Sequence, residues 1–183
     1  MVHHDAALGA APQSQPAGRA IRTLTAESLR AFRVRGEPIP GLSDVLSAIG
    51  GELVVYCELK GTGTAAPAAA MLAGTGARHA VHSFDHRQVA EARRLAPALP
   101  RGVLETSYHL NPASSLASVD ARDLWQHWEL IDQGLVDAVH ARAGRVVAWT
   151  ANDPEVMTRL VALGVDALCT DDVATARRVL GRA

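Results

Sequence analysis

Short apolar segments alternate with amphipathic ones along most of the chain, and this alternation gives the first indication of the fold. The apolar segments have the length of β-strands and recur at intervals of roughly 20 to 45 residues, with helix-like segments between them. Six strands are predicted in this way, at residues 1–4, 53–60, 79–84, 103–106, 146–151 and 167–169. The pattern is typical of a parallel βα architecture, in which helices connect neighbouring strands of one sheet.

The starts of the intervening helices are marked by residues that favour helix N-termini. A Thr or Asp side-chain oxygen can accept a hydrogen bond from a backbone N–H group of the first helical turn, which otherwise has no partner. One of these residues precedes a proline, which is well suited to the first position of a helix. The residues predicted to cap helices are Thr25, Asp85, Asp132, Asp153, and either Asp171 or Asp172.

Polar and reactive side chains follow most of the predicted strands at their carboxyl ends. In βα barrels this edge of the sheet carries the active site. Capping of the next helix is a second explanation for Asp85, Asp153 and Asp172, and it is the preferred one for these three residues. The polar strand ends are residues 4–5, 58–60, 83–85, 149–152 and 170–171.

Glu58 and Lys60 form the most informative of these strand ends. They are two residues apart at the end of an apolar run, so the period of two in a strand directs both side chains to the same face. A carboxylate and an ammonium in one pocket can hold a divalent cation beside a phosphate group. The alternative is an ordinary ion pair at the end of a strand.

The composition excludes several classes of function. The chain has 183 residues, of which 48% are hydrophobic, so one domain spanning residues 1–183 is expected. Its 18 Lys and Arg residues nearly balance its 19 Asp and Glu residues, and no basic patch indicates nucleic-acid binding. No apolar run approaches the roughly 20 residues of a transmembrane helix. Cys57 and Cys169 are expected to be reduced, buried thiols, which favours a cytoplasmic location.

Six motifs, in order along the chain, together resemble the glycerophosphodiester phosphodiesterase family, which hydrolyses glycerophosphodiesters on a TIM barrel with a divalent cation. Each motif is weak alone, but their order and their positions at strand ends and before helices make the resemblance specific. The motifs are His4-Asp5, Ile39-Pro40-Gly41-Leu42 with Val45-Leu46, Glu58-Leu59-Lys60, Ser83-Phe84-Asp85, Trp149-Thr150-Ala151-Asn152, and Gly164-Val165-Asp166 followed by Thr170-Asp171.

The resemblance implies roles for individual residues. His4 matches a catalytic histidine that acts as general acid or base, and Glu58 matches a carboxylate ligand of the cation, which would be Ca²⁺ or Mg²⁺. Lys60 matches a residue that meets the phosphate, and Phe84 and Trp149 match aromatic positions that line the substrate pocket. The implied reaction converts a glycerophosphodiester to glycerol 3-phosphate and an alcohol. Core packing is an equally good explanation for Phe84.

Three motifs of the family are absent, namely a strand ending in His-Arg-Gly, a Glu-Asn-Thr segment and a strand ending in Glu-x-Asp. The expected fold is therefore α/β, an incomplete (β/α)8-type TIM barrel that lacks its first two βα units. In the family, these motifs contain the second catalytic histidine and two of the three metal carboxylates. Because they are absent here, activity is expected to be impaired. The remaining histidines are expected to be structural: His79, His82, His86, His109, His127 and His140.

Three explanations account for the shortened pattern. Met1 is a misplaced or truncated start, or the chain is a true short form whose open sheet edges are covered by a partner, for example in a homo-oligomer. The third explanation is a decayed copy of the enzyme. The alternative function is accordingly a non-catalytic binding or assembly module, in which Glu58 and Lys60 form only an ion pair.

Overall fold

The computed structural model describes residues 1–9, 18–51, 53–74 and 79–181. Its helices are α1 (Ala26–Ala31), α2 (Leu42–Ile49), α3 (Ala65–Ala73), α4 (His86–Leu95), α5 (Ser114–Val119), α6 (Gln133–His140), α7 (Pro154–Ala162) and α8 (Val173–Val179). Its strands are β1 (Arg33–Val34), β2 (Glu37–Pro38), β3 (Tyr56–Glu58), β4 (Ala80–Ser83), β5 (Arg101–Glu105), β6 (Asp123–His127), β7 (Arg145–Trp149) and β8 (Ala167–Leu168). None of these helices is long and apolar enough to cross a membrane.

The central feature is a six-stranded sheet in the order β3-β4-β5-β6-β7-β8, with every neighbouring pair parallel. Helices α3 to α7 alternate with these strands along the chain. The prediction of a parallel βα architecture is therefore confirmed. Since eight strands close a TIM barrel, this six-stranded sheet corresponds to an incomplete barrel.

The N-terminal region differs from its prediction, because residues 1–4 do not form a strand. The segment instead runs beside the loop before α2, where the backbone N–H of Val2 donates to the carbonyl of Pro40 at 2.9 Å. Four side chains farther along the region, Leu8, Leu29, Phe32 and Ile39, form a small separate core. The antiparallel pair β1–β2, which the sequence did not predict, lies in the same region.

One strand of the sheet, β6, was missed because three of its five residues are polar, namely Asp123, Gln126 and His127. Asp123 is fully buried, and its carboxylate accepts two hydrogen bonds from the guanidinium of Arg122, at 2.8 and 2.7 Å. Gln126 is also buried, and its amide donates to the carbonyl of Ser107 at 3.2 Å. Polar side chains are compatible with a buried strand when each finds a partner.

The helix-facing side of the sheet carries the larger apolar cores. Alternate residues of each strand point to this side and pack under the helices. The main cluster combines strand residues Val103, Leu124, Val146 and Ala148 with helix residues Val89, Leu116, Val119, Leu135, Val136, Val139, Met157, Leu160 and Ala176, together with Ile131 and Ala151. A second cluster lies under α3 and α4 and contains Leu59 and Val81.

The other side of the sheet, which we call the inner face, is lined by the intervening residues of the same strands. Its apolar members are Leu104, Trp125 and Val147, with the partly buried Tyr56, Trp149, Ala167 and Cys169. The helix caps are confirmed where they were predicted, because each capping oxygen accepts a backbone hydrogen bond. The capping residues are Thr25, Asp85, Asp132, Asp153 and Asp172. Of the two candidates before α8, Asp172 is therefore the cap and Asp171 is not.

Candidate functional site

Glu58 and Lys60 lie side by side at the carboxyl end of β3. The ammonium nitrogen of Lys60 is 3.4 Å from Oε2 of Glu58, and the side chains are 37% and 25% exposed for Lys60 and Glu58 respectively. The structure thus brings together the two residues that the alternation placed on one face. A partly exposed ion pair of this kind is weak, so its ammonium remains available to an anionic ligand.

A cavity of about 240 Å³ opens at this point of the sheet edge. It lies between the ends of β3 and β4, because its lining comes from the two strand ends and the residues directly after them. The lining residues are Glu58, Leu59, Lys60, Ser83, Phe84 and Asp85. Two of the predicted strand ends therefore share one cavity, and a small phosphate ester would meet both a cation and an aromatic ring there.

Asp85 belongs to the cavity but has other partners. Its carboxylate caps α4 by accepting from the backbone N–H of Arg87, and it also pairs with the guanidinium of Arg87 at two distances of 2.8 Å. The side-chain hydrogen bond from Arg87 is the main reason why the pKa of Asp85 lies below its usual value. These contacts agree with the prediction of a capping role for Asp85.

Aromatic rings form a wall beside the cavity. The ring of Phe84, which is 48% exposed, meets the ring of Trp149 edge to face at a centroid distance of 5.4 Å. On its other side Trp149 meets His127 at 5.3 Å. The indole N–H of Trp149 donates to the carbonyl of Trp125 at 3.0 Å, which fixes the ring in place. His127 was expected to be structural, and its position at a strand end was not predicted because β6, the strand that ends in it, was missed.

His82 lies on the inner face directly beside Glu58, since the two residues are register partners of β4 and β3. It is only 6% exposed, and its ring packs against Trp125 at 4.1 Å. Burial, helped by the charge of Lys60, lowers the pKa of His82 to about 4, so the imidazole is neutral at pH 7. His82 Nδ1 and Trp125 Nε1 are buried atoms without a hydrogen-bond partner in the described part of the chain.

Space for the Trp125 ring comes from Gly102. A Cβ atom at that position would lie 2.9 Å from Cδ1 of Trp125 and 3.0 Å from the carbonyl oxygen of Asp123. Glycine therefore lets the indole lie over β5 and reach His82. The sequence offers no signal for this contact, because it depends on three neighbouring strands.

His4 is placed at the surface rather than at the end of a strand. Its side chain is 84% exposed, and Nδ1 bonds Oδ1 of Asp5 at 2.8 Å. The pKa of Asp5 is lowered by this hydrogen bond first, and the positive charges of His4, His3 and Lys60 act in the same direction. His4 is not among the residues that line the cavity. The charge of Lys60, which does line it, contributes to lowering the pKa of the neighbouring Asp5.

The predicted strand ends of β7 and β8 interact with each other. The amide of Asn152 donates to Oδ2 of Asp171 at 2.8 Å, and its oxygen accepts from the hydroxyl of Thr170 and the backbone N–H of Asp171, both at 2.9 Å. Asp171 is thereby used to tie two loops together. These residues stabilise the sheet edge, and their polar character is explained by their mutual contacts.

Within the described residues, no group of three or more His, Cys, Asp or Glu side chains is arranged to hold a metal ion. Ca²⁺ and Mg²⁺ require about six or more oxygen ligands in well-defined positions. Glu58 offers one carboxylate beside a cationic side chain. The described residues therefore do not fit such an ion by themselves.

Comparison with known proteins identifies the family to which the chain is similar. The family model of the glycerophosphoryl diester phosphodiesterases matches residues 1–175. A glycerophosphodiester phosphodiesterase from Caldanaerobacter subterraneus subsp. tengcongensis is 27% identical over 148 residues, which are 76% of this chain and 61% of that protein. The chain thus spans about three fifths of that relative's length.

Solved structures show the same fold. The structure of an Oleispira antarctica phosphodiesterase in complex with the product sn-glycerol-3-phosphate has a TM-score of 0.83 and 21% identity, covering 98% of this chain and 78% of that one. A glycerophosphodiester phosphodiesterase from Agrobacterium tumefaciens has a TM-score of 0.79 and 18% identity, with 98% and 79% covered. The fold expected from the motifs, an incomplete TIM-type barrel, is confirmed.

Proposed function

Because the chain belongs to the glycerophosphoryl diester phosphodiesterase family, we propose that its cavity binds a glycerophosphodiester and takes part in its hydrolysis to glycerol 3-phosphate and an alcohol. The observation that carries this proposal is the position of the Glu58–Lys60 pair in a cavity between two parallel strand ends. Substrates of βα barrels bind at this edge of the sheet.

In this proposal Lys60 binds the phosphate. Its ammonium leaves a weak, partly exposed ion pair and gains charge-assisted hydrogen bonds to phosphate oxygens. Phe84 and Trp149 form an apolar wall that excludes water on one side of the ester. The phosphodiester is thereby held between a cation and two rings.

His4 would transfer protons. The carboxylate of Asp5 accepts from Nδ1, which leaves Nε2 of His4 as the nitrogen that can give or take a proton. Hydrolysis breaks one P–O bond, adds the oxygen of water to phosphorus and transfers a proton to the departing alcohol. His4 is highly exposed and lies outside the residues that line the cavity.

Glu58 is proposed as one ligand of a Ca²⁺ or Mg²⁺ ion. The described residues do not complete such a site. For this reason the binding of the phosphate is assigned to Lys60, and the metal dependence of turnover is left to the experiment below.

A second candidate function is that of a non-catalytic binding module. It is favoured by the absence of a three-ligand metal group in the described residues and by the direct contact of Glu58 with Lys60. In that case the cavity would retain the affinity for phosphate esters without turnover.

We also propose that the outer edges of β3 and β8 are covered in the cell, as by a second copy of the chain, because a parallel sheet edge presents free backbone N–H and C=O groups. A cytoplasmic location is proposed from the two free cysteines. Light scattering of the purified chain across a concentration series would give its oligomeric state, and a strict monomer would contradict coverage by a second copy.

The central experiment combines binding and turnover. The purified chain is titrated with sn-glycerol 3-phosphate by calorimetry, and glycerophosphocholine hydrolysis is followed with Ca²⁺, with Mg²⁺ and with EDTA. Turnover that EDTA abolishes supports the enzyme, and binding without turnover supports the binding module. If wild type binds no phosphate ester, or Lys60→Met binds as well as wild type, the proposed use of this cavity is wrong.

A further inference from the structure

Gln88 is a buried amide that neither capping nor the core explains. It lies in the first turn of α4 and is only 5% exposed. Burying an amide is unfavourable unless both its oxygen and its nitrogen find hydrogen-bond partners. Both partners of Gln88 lie in another part of the fold, in the segment that connects β3 to α3.

The amide of Gln88 holds this connecting segment at both ends. Its Nε2 donates to the carbonyl of Leu59 at 3.2 Å, and its Oε1 accepts from the backbone N–H of Thr64 at 3.1 Å. The hydroxyl of Thr64 lies 3.0 Å from the same Oε1 and 2.8 Å from the carbonyl of Gly61. Lys60 and the loop 61–63 are thus enclosed between two points fixed by one side chain.

Ser83 reinforces one of these points. Its hydroxyl donates to the carbonyl of Leu59 at 2.6 Å, so this carbonyl accepts from two buried side chains. The backbone N–H of Leu59 donates in turn to the carbonyl of His82 at 2.8 Å. The two peptide units that flank the Leu59 Cα, directly before Lys60, are therefore held by three hydrogen bonds from α4 and β4.

The loop between Leu59 and Thr64 is rich in glycine. It contains Gly61 and Gly63, the latter in the left-handed region at φ +74°, and glycine gives the unfixed backbone many alternative conformations. The Lys60 side chain is partly exposed, with Glu58 as its partner. Its position thus depends mainly on the backbone that carries it.

We propose that Gln88 is a positioning residue that fixes the segment 59–64 and so holds the ammonium of Lys60 in its phosphate-binding position. This inference rests on the proposed function, in which Lys60 binds the phosphate. Gln88 itself does not touch the substrate. Its effect is to reduce the number of conformations that Lys60 must give up on binding.

The test compares Gln88→Met, which keeps the length of the side chain and removes both hydrogen bonds, with Gln133→Met as the matched control. Gln133 is exposed on α6, and its amide donates to Oδ1 of Asp137 on the same helix at 2.9 Å. Hydrogen exchange of the Thr64 amide reports whether the segment is held. Affinity for sn-glycerol 3-phosphate reports whether Lys60 is positioned.

We expect Gln88→Met to speed exchange at Thr64 and to weaken sn-glycerol 3-phosphate binding, each by about tenfold, with no change in Gln133→Met. In a Lys60→Met background, Gln88→Met should cause no further loss of affinity, because the residue acts through Lys60. A purely structural role would lower the midpoint of unfolding but leave the affinity of the folded protein unchanged.

Thr64→Val serves as a second variant if Gln88→Met does not fold, because it removes only the hydroxyl of a half-buried loop residue, with its contacts to Gln88 and Gly61, and leaves Gln88 in place. It should weaken binding in the same direction by a smaller factor. Unchanged affinity in either folded variant, or equal losses with and without Lys60, would overturn the positioning role. If the wild-type protein does not bind sn-glycerol 3-phosphate, the proposed function is wrong. Hydrogen exchange at Thr64 would still show whether Gln88 holds the segment, so the two failures can be distinguished.

Discussion

The two faces of the sheet are built from the same strands but differ in how fully their buried polar groups are hydrogen-bonded. On the helix-facing side, apolar residues pack under helices, and the polar side chains of Ser83, Gln88 and Gln126 have hydrogen-bond partners. On the inner face, His82 and Trp125 carry buried nitrogen atoms without partners in the described chain. Glu58 and Lys60 lie at the rim of this same face.

This contrast separates the side of the sheet that stabilises the fold from the side that carries the candidate site. Most polar groups that serve the fold are paired within the described chain, with Ser115 Oγ on α5 as an exception, since an unpaired buried group is destabilising. The face that carries the candidate site keeps polar groups that the rest of the described chain leaves unsatisfied. The helix-facing side should therefore dominate stability, and the inner face should dominate binding and the response to pH.

The largest effect on stability is expected from the helix-facing core. Leu160 on α7 is fully buried in the main cluster, so Leu160→Ala should lower the free energy of unfolding by about 3 kcal/mol. The adjacent Val161 is 40% exposed, and Val161→Ala should change it by less than about 0.5 kcal/mol. Denaturant titration gives both values, and similar losses in the two variants would contradict the position of the core.

The next effect concerns His82 on the inner face. Its pKa is about 4 in the folded protein and about 6.5 in the unfolded chain, which therefore binds the proton more tightly. Stability from this group is complete above pH 6.5 and decreases as the pH falls toward 4. At pH 5 the expected loss is about 2 kcal/mol.

Unfolding titrations of wild type and His82→Leu between pH 7 and pH 4.5 would measure this loss. Every other titratable group is the same in both proteins, so the difference between the two curves reports His82. A pH dependence that is the same in both would show that the imidazole is not buried in its neutral form.

The smallest effect on stability is expected at the rim. Lys60→Met removes a partly exposed ion pair and should change the free energy of unfolding by less than about 0.5 kcal/mol. The same variant should lose about tenfold or more in affinity for sn-glycerol 3-phosphate, because the ammonium is the phosphate ligand in our proposal. A large loss of stability with unchanged affinity would reverse the roles assigned to the two faces.

Much of the helix-facing side could be predicted from the sequence, because it follows from local patterns. Five of the six parallel strands correspond to apolar runs, although β3 is shorter than predicted since Leu53 and Val54 are exposed. The capping residues were found because an Asp or Thr before a helix interacts with its own backbone. Strand β6 was missed because the partners that make Asp123 and Gln126 compatible with burial come from elsewhere.

The inner face was less predictable for the same reason. The alternation of residues was enough to place Glu58 and Lys60 together. The burial of His82 depends on the Trp125 ring, which in turn depends on Gly102 in a third strand. The hydrogen bonds of Gln88 join α4 to the segment after β3, and the sequence pattern of neither element predicts them.

The order of the sheet has a consequence for how the protein is made. Each strand of the large sheet after β3 lies next to the strand that precedes it in the chain. As the chain leaves the ribosome, each new βα unit can therefore dock on the one just completed, without waiting for a distant partner. Among the described strands, growth would run from β3 toward β8, and the most recently added strand would be the edge that the next unit covers.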